Sequence, residues 1–306
     1  MKKSILCLTL LFLFVGSYSQ NTEAEKQLKT QNADSVIGWK KGGMINLSTS
    51  QTSLTNWAAG GQSSIAFSGL MNLFARYNKD KGLWENFLDL GYGSLKQGKR
   101  DWWKTDDRIE FTSKYGYKIT KKLYLAGLLN FKTQFANGYN YPNDSVKISG
   151  LMSPGYILGA IGIDYRPGED FTLFFAPITG KLTLVTNQEL SDAGAFGVDP
   201  GDHTLAELGS YLRIFLKHNL MENITFQTKL DLFSNYLHNP QNIDVNWETL
   251  LSLKVNKFFA ATLSTNLVYD DDVDIVVDKN GDGIIDESGP RVQFKEVLAI
   301  GFSYKF

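Results

Sequence analysis

The chain has 306 residues, with 31 Lys and Arg against 32 Asp and Glu and a formal net charge of −1, a balance that argues against a nucleic-acid binder. Hydrophobic residues reach 43% and aromatics 13%, so the chain is not disordered. Its single cysteine, Cys7, argues against thiol catalysis, a disulfide scaffold and zinc fingers.

The N-terminus carries an address. Lys2 and Lys3 precede a short apolar run from Ile5 to Val15, broken only by Thr9, and Gly16-Ser17-Tyr18-Ser19 follows before Gln20. Residues 1–19 read as a secretory signal peptide, with cleavage expected after Ser19. The run is too short for a membrane anchor, and Leu6 stands where a lipoprotein needs a small residue. Residues 20–38 are polar and are expected to form a periplasmic tail, leaving 39–306 for the folded domain. Beyond the N-terminus no run approaches the ~18 apolar residues of a spanning helix. Export, many aromatics and no apolar helix together point to a β-barrel in the outer membrane of a Gram-negative cell.

From Gly43 onward the hydrophobic period is two. In 108–119, Arg108, Glu110, Thr112, Lys114 and Lys118 fall on one face, and Ile109, Phe111, Tyr115, Tyr117 and Ile119 on the other. Segments 223–236 and 245–255 repeat the alternation. A soluble sandwich would alternate too, but its strands are usually about 5–6 residues, whereas a tilted membrane strand needs about 9–11. The expected fold is all-β: a single antiparallel transmembrane barrel of about twelve strands. These are expected at 43–51, 63–78, 83–96, 107–119, 122–136, 155–166, 170–186, 204–219, 223–238, 243–256, 258–271 and 291–306. Pro177 predicts a bend or bulge in the seventh strand.

Short connections alternate with mostly long ones, apart from a short one near 239–242. Transmembrane barrels have short periplasmic turns and longer outside loops, so an even strand count puts both termini in the periplasm. The last strand sets Leu298, Ile300, Phe302, Tyr304 and Phe306 against Ala299, Gly301, Ser303 and Lys305. It resembles the recognition signal of bacterial outer-membrane barrels. The expected partners are outer-membrane lipid, the barrel-assembly machinery during insertion and other envelope proteins.

Five segments carry a family resemblance: Asn56-Trp57-Ala58-Ala59-Gly60-Gly61, Trp84-Glu85-Asn86, Lys104-Thr105-Asp106-Asp107-Arg108, Thr133-Gln134-Phe135-Ala136-Asn137-Gly138-Tyr139, and Gln293-Phe294-Lys295-Glu296 through Phe306. Over most of 39–306 the chain resembles domain-of-unknown-function family 3078, outer-membrane proteins of Bacteroidota. The resemblance implies a location and no chemistry.

The inward phase carries Arg76, Glu85, Asp89, Arg108, Glu110, Lys114, Lys118, Lys132, Asp164, Glu207, Arg213, Lys217, Lys229, Asp231, Glu248 and Lys254. A water-filled lumen tolerates such charges, whereas a dry core requires them paired. Two readings follow. One is a passive, narrow pore for small solutes with a weak preference for anions. The other is an interior plugged by salt bridges, as in a non-conducting structural or accessory barrel of an envelope assembly. The Trp57 loop either folds inward as a constriction or sits as an aromatic at the interface.

The last outside loop reads as a calcium site or as an exposed acidic hairpin turn. Asp278, Asn280 and Asp282 match positions 1, 3 and 5 of a calcium loop, with Gly283 at 6 and the Ile284 carbonyl at 7. Position 12 is Gly289 rather than Glu, and Asp286 and Glu287 come early. No other cofactor is expected. Catalysis has little support: Ser234, Asn235 and His238 lie together near a strand end without the spacing of a triad, so an outer-membrane enzyme is the weakest reading.

Overall fold

In the computed structural model the described residues are 37–306, except 56–57, 60, 142–143, 169, 257 and 278–286. The expected signal peptide and nearly all of the expected tail therefore lie outside the described residues, as do Trp57 and most of the calcium loop.

Twelve antiparallel strands close into one barrel. They are β1 (Gly38–Thr52), β2 (Ser64–Lys79), β3 (Gly82–Gln97), β4 (Trp103–Lys118), β5 (Leu123–Thr133), β6 (Gly155–Tyr165), β7 (Phe171–Leu184), β8 (Thr204–Met221), β9 (Ile224–Asn235), β10 (Asp244–Lys254), β11 (Phe259–Tyr269) and β12 (Gln293–Lys305). Each strand pairs with its neighbours in sequence, and β12 returns to β1. Among the described residues no helix is long and apolar enough to cross a membrane.

The closing ladder runs from Met44 opposite Lys305 to Ser48 opposite Gly301. Gly43 and Phe306 extend it with two backbone hydrogen bonds of 3.0 and 3.1 Å. A side chain at Gly43 would collide with Leu73 and with the backbone of Asn72, so the first strand approaches its neighbours closely here. β1 thus begins at Gly38, five residues before the sequence-based boundary of 43. Its glycines look like a turn in sequence and act as contact points in the sheet.

The outer surface is apolar. On the short-turn side Trp39, Tyr77, Trp84 and Tyr115 stand opposite one another across β1 to β4. Trp39 lies 5.2 Å from Tyr77 and 5.7 Å from Trp84 between ring centroids. Toward the other end Phe67 meets Trp102 at 5.8 Å. Along β2 the outward residues between Phe67 and Tyr77 are Gly69, Met71, Leu73 and Ala75. With about 3.4 Å per residue and a tilt near 40°, that span is about 26 Å tall, which matches the ~25 Å apolar band of a membrane barrel.

β7 breaks phase at Pro177. Four residues, from Ala176 to Thr179, oppose three on β8, from Tyr211 to Gly209, and β6 shows the same shift between Ile161 and Ile163. This is a β-bulge: Pro177 has no N–H to give, and its carbonyl accepts the Tyr236 hydroxyl at 3.0 Å. The bulge presses β7 onto β6, so a Cβ on Gly162 would lie 2.0 Å from the Phe175 carbonyl oxygen and 2.5 Å from the Ala176 Cα.

Neighbouring backbone cannot yield as a side chain would. Gly162→Val should cost about 1–3 kcal/mol or more and deplete the compact, heat-modifiable band on cold gels. Gly159→Val on the same strand, where a Cβ meets nothing within 4 Å, should fold normally. Equal folding of both variants would contradict the bulge geometry.

Candidate functional site

The candidate site is the lumen. Its wall follows from strand parity, because alternate residues on each strand point inward and the ladders align them in rows. Arg76, Glu85, Asp89, Arg108, Glu110, Lys114, Lys132, Arg213, Lys229, Asp231 and Glu248 all occupy inward positions. They collect into tiers.

The tier nearest the short turns centres on two buried carboxylates. Glu85 is 3% exposed and Asp164 1%. Glu85 takes Arg76 at 2.8 Å, Lys114 at 3.9 Å and Arg166. Asp164 takes Lys114 at 3.0 Å and Arg166 at 2.6 Å. Two carboxylates thus share three cations, as buried ions must.

The middle tier crosses the barrel. Arg108 on β4 reaches Glu248 on β10 at 2.9 Å, and Lys229 on β9 holds Glu110 at 3.2 Å and Glu248 at 3.1 Å. Arg213 grips Asp231 through two hydrogen bonds of 2.6 and 3.0 Å, and the Tyr211 hydroxyl donates to the same carboxylate at 2.7 Å. Asn72 donates to Asp89, and Lys132 lies within electrostatic reach of Glu110 and Glu248. β4 and β10 are diametrically opposed in a ring of twelve. A circular barrel of twelve strands would be about 24 Å across between backbones. One arginine and one glutamate span less, so the section is drawn in along the β4–β10 line.

The outermost tier surrounds Lys181, which meets Glu207 at 3.1 Å, Asp244 at 2.8 Å and Asp270 at 3.5 Å. Asp272 lies on the loop beyond. Burial first, and then the neighbouring Asp270 charge, pushes its carboxyl above the ordinary value.

Sequence parity did not select Lys181, Asp244, Asp270 or Arg166. Lys181 follows the bulge, where inward positions change from 172, 174 and 176 to 179, 181 and 183. Pro177 was the available signal. Arg166 lies in a turn, where parity has no meaning.

The two walls differ. On the β5–β9 side, inward-facing Ala126, Leu128, Ala160, Phe174, Ala176, Tyr211 and Phe233 form a buried apolar cluster. Lys114 Nζ lies 5.7 Å over the Phe174 ring. The β11–β12–β1–β2 side presents small uncharged groups between the ends, Thr262, Ser264 and Asn266, then Ala299, Gly301 and Ser303, then Asn46, Ser48 and Ser68, and its inward charges include Arg76 and Lys40 toward the short turns and Lys295 toward the long loops. Between the barrel ends, charge and bulk stand on one wall and room on the other.

Above the lumen, two of the quoted segments meet. The Asp107 carboxylate accepts the backbone N–H groups of Phe135 at 2.7 Å and Ala136 at 2.8 Å. Lys104 Nζ bonds Asp107 at 3.1 Å, Gln134 at 3.0 Å and the Ala136 carbonyl at 2.8 Å. Gln134 in turn donates to the carbonyls of Gly150 and Ser153. This clamp takes the Phe135 and Ala136 N–H groups, so β5 ends at Thr133 rather than at the expected 136. A third segment joins through Lys295, which meets Asp106 at 2.5 Å.

Of the expected calcium ligands, Asp278, Asn280, Asp282, Ile284 and Asp286 lie outside the described residues. Glu287 opens a short strand, Glu287–Pro290, paired with Asp274–Val277, and its carboxylate meets Arg291. Ser234 donates to the Pro240 carbonyl at 2.7 Å and Asn235 to Glu207 at 3.2 Å, so both are engaged away from His238.

A family profile described as "Protein of unknown function (DUF3078)" matches residues 49–139, which include both halves of the clamp. The match is shorter than the stretch within 39–306 over which the resemblance is expected. No curated protein matches the chain. Among solved structures, an outer membrane channel from Pseudomonas putida F1 is similar at 12% identity, covering 89% of this chain and 96% of its own, with a TM-score of 0.40. The NanC porin is similar at 9% identity, covering 85% and 98%, with a TM-score of 0.37. The translocator domain of the autotransporter NalP from Neisseria meningitidis is similar at 9% identity, covering 92% and 91%, with a TM-score of 0.35. Likeness at this level assigns no role.

Asp107→Ala removes the acceptor of two backbone donors. The variant should keep the heat-modifiable barrel while protease cleavage within 134–154 rises about ten-fold, the equivalent of ~1.4 kcal/mol of lost loop anchoring. An unchanged cleavage pattern would mean that the loop is held by other contacts.

Proposed function

We propose that the protein is an outer-membrane β-barrel of a Gram-negative bacterium that works as a narrow, passive channel for small polar solutes. The location is supported by the belt of outward aromatics and aliphatics, whose height suits a bilayer. Closure suits the same setting, since hydrocarbon leaves no partner for an open sheet edge. Both termini of the barrel lie with the short turns, which we assign to the periplasm. That orientation agrees with a signal peptide cleaved after Ser19 and a tail over residues 20–38. It also presents the last strand, ending in Phe306, to a barrel-assembly machinery. A Bacteroidota source is what the family resemblance implies.

The observation that carries the channel reading is the unequal wall. Between the barrel ends, the groups that fill the lumen stand mainly on β3 to β10, while β11, β12 and β1 contribute small uncharged side chains there. A solute path along that side bypasses the Arg108–Glu248 and Lys229–Glu110 crossings and passes the Lys295–Asp106 pair only at the long-loop mouth. Arg76 and Arg108, both inward-facing, keep 30% and 27% of their side-chain surface accessible, which supports a wet lumen.

One observation favours a second reading. The Arg108–Glu248 and Lys229–Glu110 pairs tie opposite walls together, as suits a non-conducting accessory barrel within an envelope assembly. We do not propose an enzyme, since Ser234 and Asn235 are engaged away from His238.

Planar-bilayer recording separates the two readings. The channel reading expects discrete steps from purified protein, reduced at least about two-fold by Ser264→Trp, which fills the roomier wall at mid-height without touching the ion pairs. Silent membranes, with other envelope proteins co-purifying, would favour the accessory barrel.

We further propose that residues 278–287 bind calcium through Asp278, Asn280, Asp282, the Ile284 carbonyl, and Asp286 or Glu287. Millimolar calcium should slow protease cleavage of 273–290, and Asp278→Ala with Asp282→Ala should abolish the protection while the barrel stays folded. Equal cleavage in calcium and in chelator would reduce the segment to an exposed turn.

A further inference from the structure

The lumen charges are sorted along the barrel axis as well as around it. The middle tier is balanced: Arg108, Lys132, Arg213 and Lys229 face Asp89, Glu110, Asp231 and Glu248. Toward the short turns the balance tips positive. The Glu85–Asp164 tier holds three cations for two carboxylates. Below it Lys40, Lys118, Lys217 and Lys254 take inward positions on β1, β4, β8 and β10, spread around the rim. Toward the long loops the balance tips negative. Glu207, Asp244 and Asp270 surround the single Lys181. At that end Lys104 and Lys295 are each matched by a carboxylate, Asp107 and Asp106. Asp271 and Asp272 extend the acidic rim, and among the described loop residues at this end carboxylates outnumber lysines and arginines.

We propose that this sorting makes the channel an ion-current rectifier, passing more current when the long-loop side is positive. The inference rests on the channel reading. A mouth lined by one sign concentrates the opposite ion. With the long-loop side positive, cations enter through the acidic mouth while anions enter through the basic one. Both fill the balanced middle tier, and conductance rises. With the polarity reversed, each ion is drawn out through the mouth that concentrates it. Neither is replenished from the far side, and the middle tier is depleted. The asymmetry depends on unscreened fields. The Debye length is ~10 Å at 0.1 M salt, comparable with the half-width of the lumen, and ~3 Å at 1 M.

The test is single-channel recording in symmetric salt with the orientation known. Residues 20–306 contain no native cysteine, so Gln241→Cys in the exposed β9–β10 connection reports, through a membrane-impermeant thiol reagent, which chamber faces the long loops. At 0.1 M salt the current ratio between polarities should be about two or more in the stated sense, falling toward one at 1 M. Replacing Lys40, Lys118, Lys217 and Lys254 together by Gln should bring the ratio toward one while conductance and heat-modifiable folding persist. Independently, Asp271→Asn with Asp272→Asn should lower the ratio from the opposite mouth. Equal currents in the unmodified protein, rectification in the opposite sense, or a ratio unmoved by both sets of variants overturns the proposal and leaves the channel reading standing. Complete silence overturns the channel reading, and the proposal falls with it.

Discussion

A barrel in hydrocarbon has no solvent to satisfy its backbone, so every strand must find two neighbours. The rest of this structure depends on the junction that meets that demand, where β12 returns to β1. The junction is built from glycine and aromatic residues. Gly42 and Gly43 let the chain approach β2 and the Phe306 backbone, while Phe302, Tyr304 and Phe306 face outward on the closing strand. Once the ring is closed, the twelve strands determine which side chains share the interior.

Closure creates a second constraint, inside. Charges that would be free on an open sheet are brought within a few ångströms of one another. Each carboxylate must then find a cation, because an unpaired buried charge costs several kcal/mol. The lumen meets this in the Glu85–Asp164 tier and in the Arg108–Glu248 and Lys229–Glu110 crossings. These pairs draw opposite walls together and leave the roomier side along β11, β12, β1 and β2. Between the barrel ends, room and charge are therefore segregated by the same interactions that stabilise the interior.

The clamp at the long-loop end shows what the quoted segments are for locally. Lys104 and Asp107 hold the start of the β5–β6 connection, and Gln134 ties its start to its end through Gly150 and Ser153. In sequence the two segments are separate. In space they form one hydrogen-bonded knot, which accounts for Lys104, Asp107 and Gln134.

Period-two alternation over segments of membrane length was sufficient to determine the barrel, its twelve strands and the inward face of most of them. Local sterics and the water–lipid contrast act residue by residue, so they are written in the chain itself. The bulge at Pro177 was legible for the same reason, since a missing N–H is a local fact. Its consequence was not: one extra residue reverses the phase of the rest of β7 and turns Lys181 inward, toward Glu207, Asp244 and Asp270. Nor did the sequence reveal that Arg108 would meet Glu248, 140 residues away, or that Arg166 would leave its turn to join Glu85 and Asp164. Those partnerships depend on which strands stand opposite after closure and on how far the section is drawn in. Both are properties of the closed ring as a whole, and only the tertiary structure decides them.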